Sequence, residues 1–207
     1  LRLLSEYKSK YHASLISTKK SLSIVEYWKK RGLHFTTSVS INNLSLNEND
    51  IGEFRTFLKL SPPLRSEEDR LALIEGLNNS LIDIIVSDHK PEDEESKRLT
   101  FQQAASGASG IETLLSLALE LYHNKSCSLM TIIRSLTSNP AKLFDINAGS
   151  LEKNFPADIA ILDLDKPWVI KKDNIRSKSK NTAIENKKLQ GKVEKTFLNG
   201  NLVFDNK

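Results

Sequence analysis

Residues 82–91 read IDIIVSDHKP, and the first five of them decide the architecture. Ile82, Ile84, Ile85 and Val86 are apolar and β-branched, interrupted only by Asp83. A run that is apolar at consecutive positions, rather than alternate ones, belongs to a strand covered on both faces, as in a parallel sheet packed against helices. Ser87, Asp88 and His89 then leave its carboxyl end, the edge from which α/β folds present functional groups.

Outward from that strand, the chain alternates. Toward the amino end, Ser66 caps a helix with early acid (Glu67, Glu68, Asp69) and apolar Leu71, Leu73, Ile74 and Leu77. Residues 33–39 and 11–16 read as two further strands. Between them a helix capped by Ser21 carries Leu22, Val25 and Trp28 and stops at Gly32 after Lys30 and Arg31. Residues 1–10 read as the end of a helix, with Leu3, Leu4 and Tyr7 on one face, cut through rather than naturally begun. Toward the carboxyl end, helices are expected over 111–122, 128–136 and 140–144. After 149–156 the texture becomes β-rich, with a strand over 158–162 and a hairpin over 193–204 that turns on Asn199 and Gly200. The expected division is 1–148 for the α/β part and 149–207 for the β-rich part.

Strand and helix in alternation give about three parallel strands, which fits an open sheet or part of a barrel. Residues 40–65 and 87–109 follow two of these strands as long polar stretches, about 25 and 20 residues against a usual two to six. Length at that edge points first to function, with mobile surface insertions as the other reading.

Composition excludes several classes. At 207 residues and 39% hydrophobic, the chain can bury a real core. No stretch of about 18 apolar residues exists to span a membrane, and the amino end lacks a signal-peptide layout. A single cysteine, Cys127, favours a reducing, cytoplasmic setting. Of 30 basic and 26 acidic residues, eight and two lie between 171 and 192, which leaves 22 against 24 elsewhere. One basic segment without a reader motif is not a nucleic-acid interface. It reads as a solvated segment, with a partner or phosphate contact as the other reading.

Among candidate groups, Asp88 could ligate a metal, orient an imidazole or take a proton from water; it could also simply cap its loop. His12 shares a strand face with Ser14 and Ile16, while His34 and His123 lie elsewhere, so the histidines form no metal-ligand spacing. Lys59, Arg65 and Arg70 could grip a carboxylate, although Arg70 has Glu67 and Glu68 close by. Gly107 and Gly110, with Ser106 and Ser109, precede the helix expected from Ile111, whose backbone amides could hold a carboxylate or imide oxygen.

Several ordered blocks together carry a resemblance. They are Ser17-Thr18, KLSPPLRSEEDRLAL (59–73), IDIIVSDHKP (82–91), GASGIETLLSL (107–117), SNPAKLF (138–144), PADIAILD (156–163) and LQGKVEKTFLNGNLVF (189–204). In this order they cover most of the chain and resemble the C-terminal half of bacterial dihydroorotases, within the amidohydrolase superfamily. The resemblance implies a TIM-type (β/α)8 barrel, of which this chain holds the last three strands and their helices, plus part of a small β-sandwich. The other five strands, a His-x-His metal pair and further ligands would lie in an amino-terminal half. Apolar surface on the present strands would need that half as a partner.

The implied activity is hydrolysis of a cyclic amide, the interconversion of dihydroorotate and carbamoyl-aspartate in pyrimidine biosynthesis, with zinc as cofactor. Asp88 matches the metal-binding aspartate that also serves as base. Leu15 falls where the HxxHxST motif has its second histidine, a metal ligand, and a leucine has no lone pair to offer. Ser61 stands for the asparagine of NPPLR, and Glu92 for the last histidine of DHAPH. Both are substrate-facing positions, as are Ser106 and Gly107, and an acid at 92 would repel a substrate carboxylate. Asn42 and Asn43 replace a common histidine pair. Those departures raise two further readings: a non-catalytic homologue serving as structural partner of aspartate transcarbamoylase, or an amidohydrolase for another cyclic amide. A homo-oligomer is also expected as a partner arrangement; nucleic acid and membrane are not.

Overall fold

A computed structural model describes residues 1–7 and 9–206; Lys8, inside the helix expected over 1–10, and Lys207 lie outside the described residues. Three strands, β1 (His12–Ala13), β2 (Thr36–Ser40) and β3 (Ile84–Val86), form a parallel sheet in the order β1-β2-β3. His12 is in register with Thr36, and Ser38, Val39 and Ser40 with Ile84, Ile85 and Val86. The sheet is open: β1 and β3 are its edges.

Helices α1 (Arg2–Glu6), α2 (Lys19–Lys30), α3 (Ile41–Ser45), α4 (Glu67–Asn78), α5 (Glu94–Arg98), α6 (Leu114–His123), α7 (Leu129–Leu136) and α8 (Ser138–Phe144) complete the α/β part. Alternation along each strand divides the sheet's two faces. Val39 and Ile85 point to the helices and join a core with Leu22, Leu73, Leu77, Leu117 and Ile132. His12, Thr36 and Ser38 lie on the other face, where their side chains bond one another.

Caps set the helix starts. Thr18 caps α2, with its hydroxyl accepting from the Ser21 N–H, so the expected cap at Ser21 belongs three residues earlier. Ser66 caps α4 by accepting from the Asp69 N–H. The stop at Gly32 stands: its φ of +80° takes the chain out of α2 at no side-chain cost. Strands β1 and β3 are shorter than expected. Residues 82 and 83 precede β3, and the Asp83 carboxylate is used locally, accepting from the Thr37 N–H (2.8 Å) and Lys29 Nζ (3.0 Å).

The two long polar stretches are folded. The first holds α3, with Ile41 and Leu44 fully buried, and two 3-10 turns, Glu48–Ile51 and Thr56–Leu58. The second holds α5. The helix expected from Ile111 starts later, at Leu114.

The C-terminal strands β4 (Ile159–Val169), β5 (Lys188–Leu198) and β6 (Asn201–Asp205) form an antiparallel sheet in that order. Asn199 and Gly200 turn the β5-β6 hairpin with φ of +48° and +78°, as a two-residue primed turn requires. Strand β4 runs past the expected end at 162, its register breaking between Asp163 and Pro167, where proline cannot donate. This sheet docks on α6 at Gly191. A Cβ there would sit 2.3 Å from Leu119 Cδ1. The Gly191 carbonyl accepts from Ser116 Oγ (2.7 Å) and Trp168 Nε1 (3.2 Å). Among the described residues no helix is long and apolar enough to cross a membrane.

Candidate functional site

The carboxyl ends of β1, β2 and β3 share one edge, and the segments that leave them build a rim. Asp88 follows β3 by two residues with a φ of +45°, a backbone state an aspartate tolerates better than most residues. Its side chain is only 7% exposed, and its Oδ1 lies 3.2 Å from Lys90 Nζ. Lys90 Nζ also donates to the Ser61 carbonyl at 2.9 Å, so the ammonium ties the β3 end to the block after β2. The Ser61–Pro62 bond in that block is cis.

His89 turns the other way. Its Nδ1 accepts from the Gly110 N–H at 3.2 Å, with the Ile111 N–H at 3.4 Å. These amides therefore close the loop on itself and are not a helix N-terminus open to a ligand, since α6 starts only at Leu114. The glycines permit close approach. A Cβ at Gly110 would lie 2.6 Å from the Ser87 carbonyl, and one at Gly107 would lie 2.6 Å from the Lys90 carbonyl and 3.1 Å from Glu92 Oε1. Gly107 also donates to the Lys59 carbonyl (3.0 Å). Lys90 thus links Asp88 to the Ser61 carbonyl, Gly107 packs on Lys90 and Glu92, and Ser106 is half-buried.

Leu15 does not join them. It leaves β1, the far edge of the sheet, with a φ of +56°, a strained state for a leucine, and its N–H donates to Ser38 Oγ (3.3 Å). His12 is spent on the sheet, Nδ1 against Thr36 Oγ1 (2.7 Å) and Nε2 against Ser38 Oγ (3.0 Å). Burial pushes its imidazole below the ordinary value, with the Asp83 carboxylate opposing. Asn42 Nδ2, Asn43 Oδ1 and Ser45 Oγ on α3 are buried without a hydrogen-bond partner among the described residues, a local cost at the rim.

Zinc is what the resemblance implies, and the donors present do not fit it. Leu15 offers no lone pair, and among the described residues no group of three His, Cys, Asp or Glu could hold a metal. Asp88 is one ligating side chain, where zinc takes about four ligands.

Two of the three cations named for a carboxylate grip, Arg70 and Lys59, are engaged with protein groups. Arg70 is bound to Glu67 (Nε 2.7 Å, Nη2 2.5 Å) and the Leu44 carbonyl, and Arg70 with Asn47 holds the Glu67 carboxyl down to about 2. Lys59 donates to the Gln102 carbonyl.

Two structural residues escaped sequence reasoning. Lys97, on a segment read as loop, is 2% exposed, and its Nζ donates to the carbonyls of Ala105 (2.8 Å), Thr56 (3.0 Å) and Lys59 (3.3 Å). It pins the two rim segments together. Asn181 lies in the basic stretch. Its Oδ1 accepts from the Glu92 N–H and its Nδ2 donates to the Gly107 carbonyl, both at 3.2 Å, while its carbonyl accepts from the Ser109 N–H (2.9 Å). Ser179 Oγ donates to the Glu92 carbonyl. The expectation of a solvated basic segment is corrected in part: Ile175 and residues 181–184 are buried, and the stretch straps the rim. A polar run hides this because its apolar residues are few and its hydrogen bonds are long-range. A cavity of about 530 Å3 lies where strap and rim meet, lined by Phe57, Pro91, Glu92, Lys178 and Asn181 among others.

Comparison with known proteins follows the same outline. The model of the Amidohydrolase family matches residues 5–203. A dihydroorotase of Wolbachia sp. subsp. Drosophila simulans is 40% identical over 197 residues, 95% of this chain and 45% of that protein. One of Anaplasma phagocytophilum is 43% identical over 194 residues, 94% of this chain and 43% of that protein. The chain therefore spans just under half the length of these relatives. Among solved structures, L-hydantoinase (dihydropyrimidinase) from Arthrobacter aurescens superposes with a TM-score of 0.93 at 27% identity, covering 99% of this chain and 47% of that one. A Thermus sp. D-hydantoinase superposes at 0.89 and 21% identity over 99% of this chain and 46% of its own, a likeness of fold alone.

Proposed function

The chain belongs to the amidohydrolase family, and from that premise we propose that it forms the Asp88 side of a dihydroorotase-like cyclic-amide hydrolase. The reaction is the interconversion of dihydroorotate and carbamoyl-aspartate, a step of pyrimidine biosynthesis, in the cytoplasm. In this reading residues 1–148 are the last three strands and helices of a barrel, and 149–207 are the β-rich segment. The rest of the barrel is the partner that covers the open sheet. The observation that carries the reading is Asp88: a carboxylate sequestered at a strand's carboxyl end and linked through Lys90 to the Ser61 carbonyl.

In this role Asp88 takes and returns the proton of the attacking water. Ser61, Glu92, Ser106 and Gly107 face the substrate, and the strap residues Ser179 and Asn181 hold Glu92 and Gly107 in place. No step is routed through zinc, because the donors present do not complete its site.

The test is hydrolysis of dihydroorotate by the full-length protein. Asp88→Asn should lower kcat about 100-fold or more, the usual worth of a positioned acid-base group. Absence of turnover in the wild type defeats the hydrolase reading. Leu15 favours a second one, a structural partner of aspartate transcarbamoylase, which would appear as co-purification and a shared sedimentation boundary. Glu92 favours a third, a cyclic amide without a carboxylate, which would appear as turnover of hydantoin or dihydrouracil in preference to dihydroorotate.

A further inference from the structure

The Asp88 side chain is nearly buried, and a carboxylate withdrawn from water needs a compensating charge. Among the described residues Lys90 is the one cation within ion-pair distance of it, at 3.2 Å. The same ammonium donates to the Ser61 carbonyl at 2.9 Å, so it is held between two oxygens that come from different strand ends. Such bracketing by oxygens from separate loops is how a rim holds a cation.

The backbone of Lys90 is fixed as well. Its N–H donates to the Ala108 carbonyl (2.9 Å), in the parallel bridge that pairs His89 with Ala108. Its carbonyl packs so closely on Gly107 that no Cβ fits between them. The backbone at 90 therefore cannot drift from the 107–108 segment, and the side chain starts from a set position. In the DHAPH motif that the 88–92 segment resembles, an alanine stands where this chain has Lys90.

We propose that the Lys90 ammonium is the built-in counter-cation of Asp88 and occupies the place at which a divalent metal would engage that carboxylate. A zinc ion bound to a carboxylate oxygen sits about 2.0–2.2 Å from it. Zinc on Asp88 would be a second cation within a few ångströms of an ammonium 3.2 Å from Oδ1, and the repulsion between the two charges opposes its binding. The rim is then charge-balanced without metal. An ammonium has no vacant orbital with which to activate water, but it can donate hydrogen bonds and hold the Asp88 carboxylate in one orientation. Lys90 acts through Asp88 as a positioning residue. The missing histidine at Leu15 and the lysine at 90 become two parts of one change, a lost ligand and a gained cation.

This inference builds on the assignment of Asp88 as the functional carboxylate, and zinc affinity tests it apart from turnover. The full-length protein, stripped of metal, is titrated with zinc by calorimetry, and bound zinc is located by anomalous scattering. Lys90→Met should raise zinc affinity at Asp88 by roughly tenfold or more, since removal of a like charge at contact distance far exceeds RT. Lys90→Arg keeps the cation and should stay as weak as the wild type, whereas adding Asp88→Asn to Lys90→Met should cancel the gain. Lys90→Gln replaces Lys90→Met if circular dichroism shows the latter unfolded. Equal zinc affinity in wild type and Lys90→Met, including none in either, overturns the proposal, as does Lys90→Arg behaving like Lys90→Met. Dihydroorotate turnover with no zinc at Asp88 supports both this proposal and the hydrolase reading. Turnover that tracks zinc bound at Asp88 in the wild type overturns the role of Lys90 and leaves the hydrolase standing.

Discussion

Lys97 combines near-complete burial with a positive charge and, among the described residues, no carboxylate within ion-pair distance. Three carbonyls from two rim segments satisfy its N–H groups, yet burial pushes its ammonium down to about 8, with Lys59 adding to the shift and Glu92 opposing it. The sign of the pH effect follows from linkage. The folded value of about 8 lies below the ordinary 10.5, so across that window the unfolded chain binds a proton that the folded chain has released. Stability contributed at this site therefore rises as pH increases from 8 to 10.5, by at most about 3 kcal/mol. Urea unfolding at pH 7.5, 9 and 10.5 should show that rise in the wild type relative to Lys97→Met. Parallel pH dependence in the two proteins would refute it. At this scale the sequence was readable for Asp88, since its strand context and motif name it. Lys97 was not readable, because a lysine among Glu94, Glu95 and Arg98 looks like one more solvated charge until the fold closes carbonyls around it.

The elements of the rim divide along the same line. Strands β1 to β3 and helices α2 and α4 were legible because their signals are local: short apolar or β-branched runs, the Ser66 cap and Gly32 as a stop, although the α2 cap lies at Thr18 and not at Ser21. Helices α3 and α5 were read as loop because each is five residues long, too short for periodicity to register. The strap around Asn181 carried no local signal at all, because its bonds reach 74 residues to Gly107 and 89 to Glu92. Asn181→Ala should leave the Glu92 N–H and the Gly107 carbonyl without those partners and cost about 1–3 kcal/mol. Hydrogen exchange should quicken at Glu92 while α2 and α4 stay protected. Unchanged exchange at Glu92 would show that the strap does not hold the rim.

As a whole, the chain is a three-stranded parallel sheet with helices packed on one face and an antiparallel sheet docked through Gly191 on α6. Ile159 and Ile161 on β4 and Leu202 on β6 share one face of the antiparallel sheet and are exposed, alongside Leu3 and Tyr11 near the amino end. Apolar surface of this kind marks a contact waiting for a partner. With one ligating side chain at the rim and an open sheet beneath it, the 207-residue chain by itself should show no hydrolysis of dihydroorotate in a chromatographic assay. Turnover by this chain alone would overturn the reading of it as part of a larger site.

What the sequence determined by itself was the order of strands and helices, the carboxyl edge at which Asp88 emerges, the Asn199-Gly200 hairpin and the family. The family rests on blocks ordered along most of the chain, and the rest on residues near one another, where backbone preference and side-chain period act directly. Only the tertiary structure decided the company Asp88 keeps: Lys90 as its counter-charge, Ser61 as the second oxygen on that ammonium, Lys97 and Asn181 as the ties that hold the rim. Those contacts join segments up to 89 residues apart. Their partners are chosen by how the sheet and its loops pack in space, which no local pattern of residues encodes.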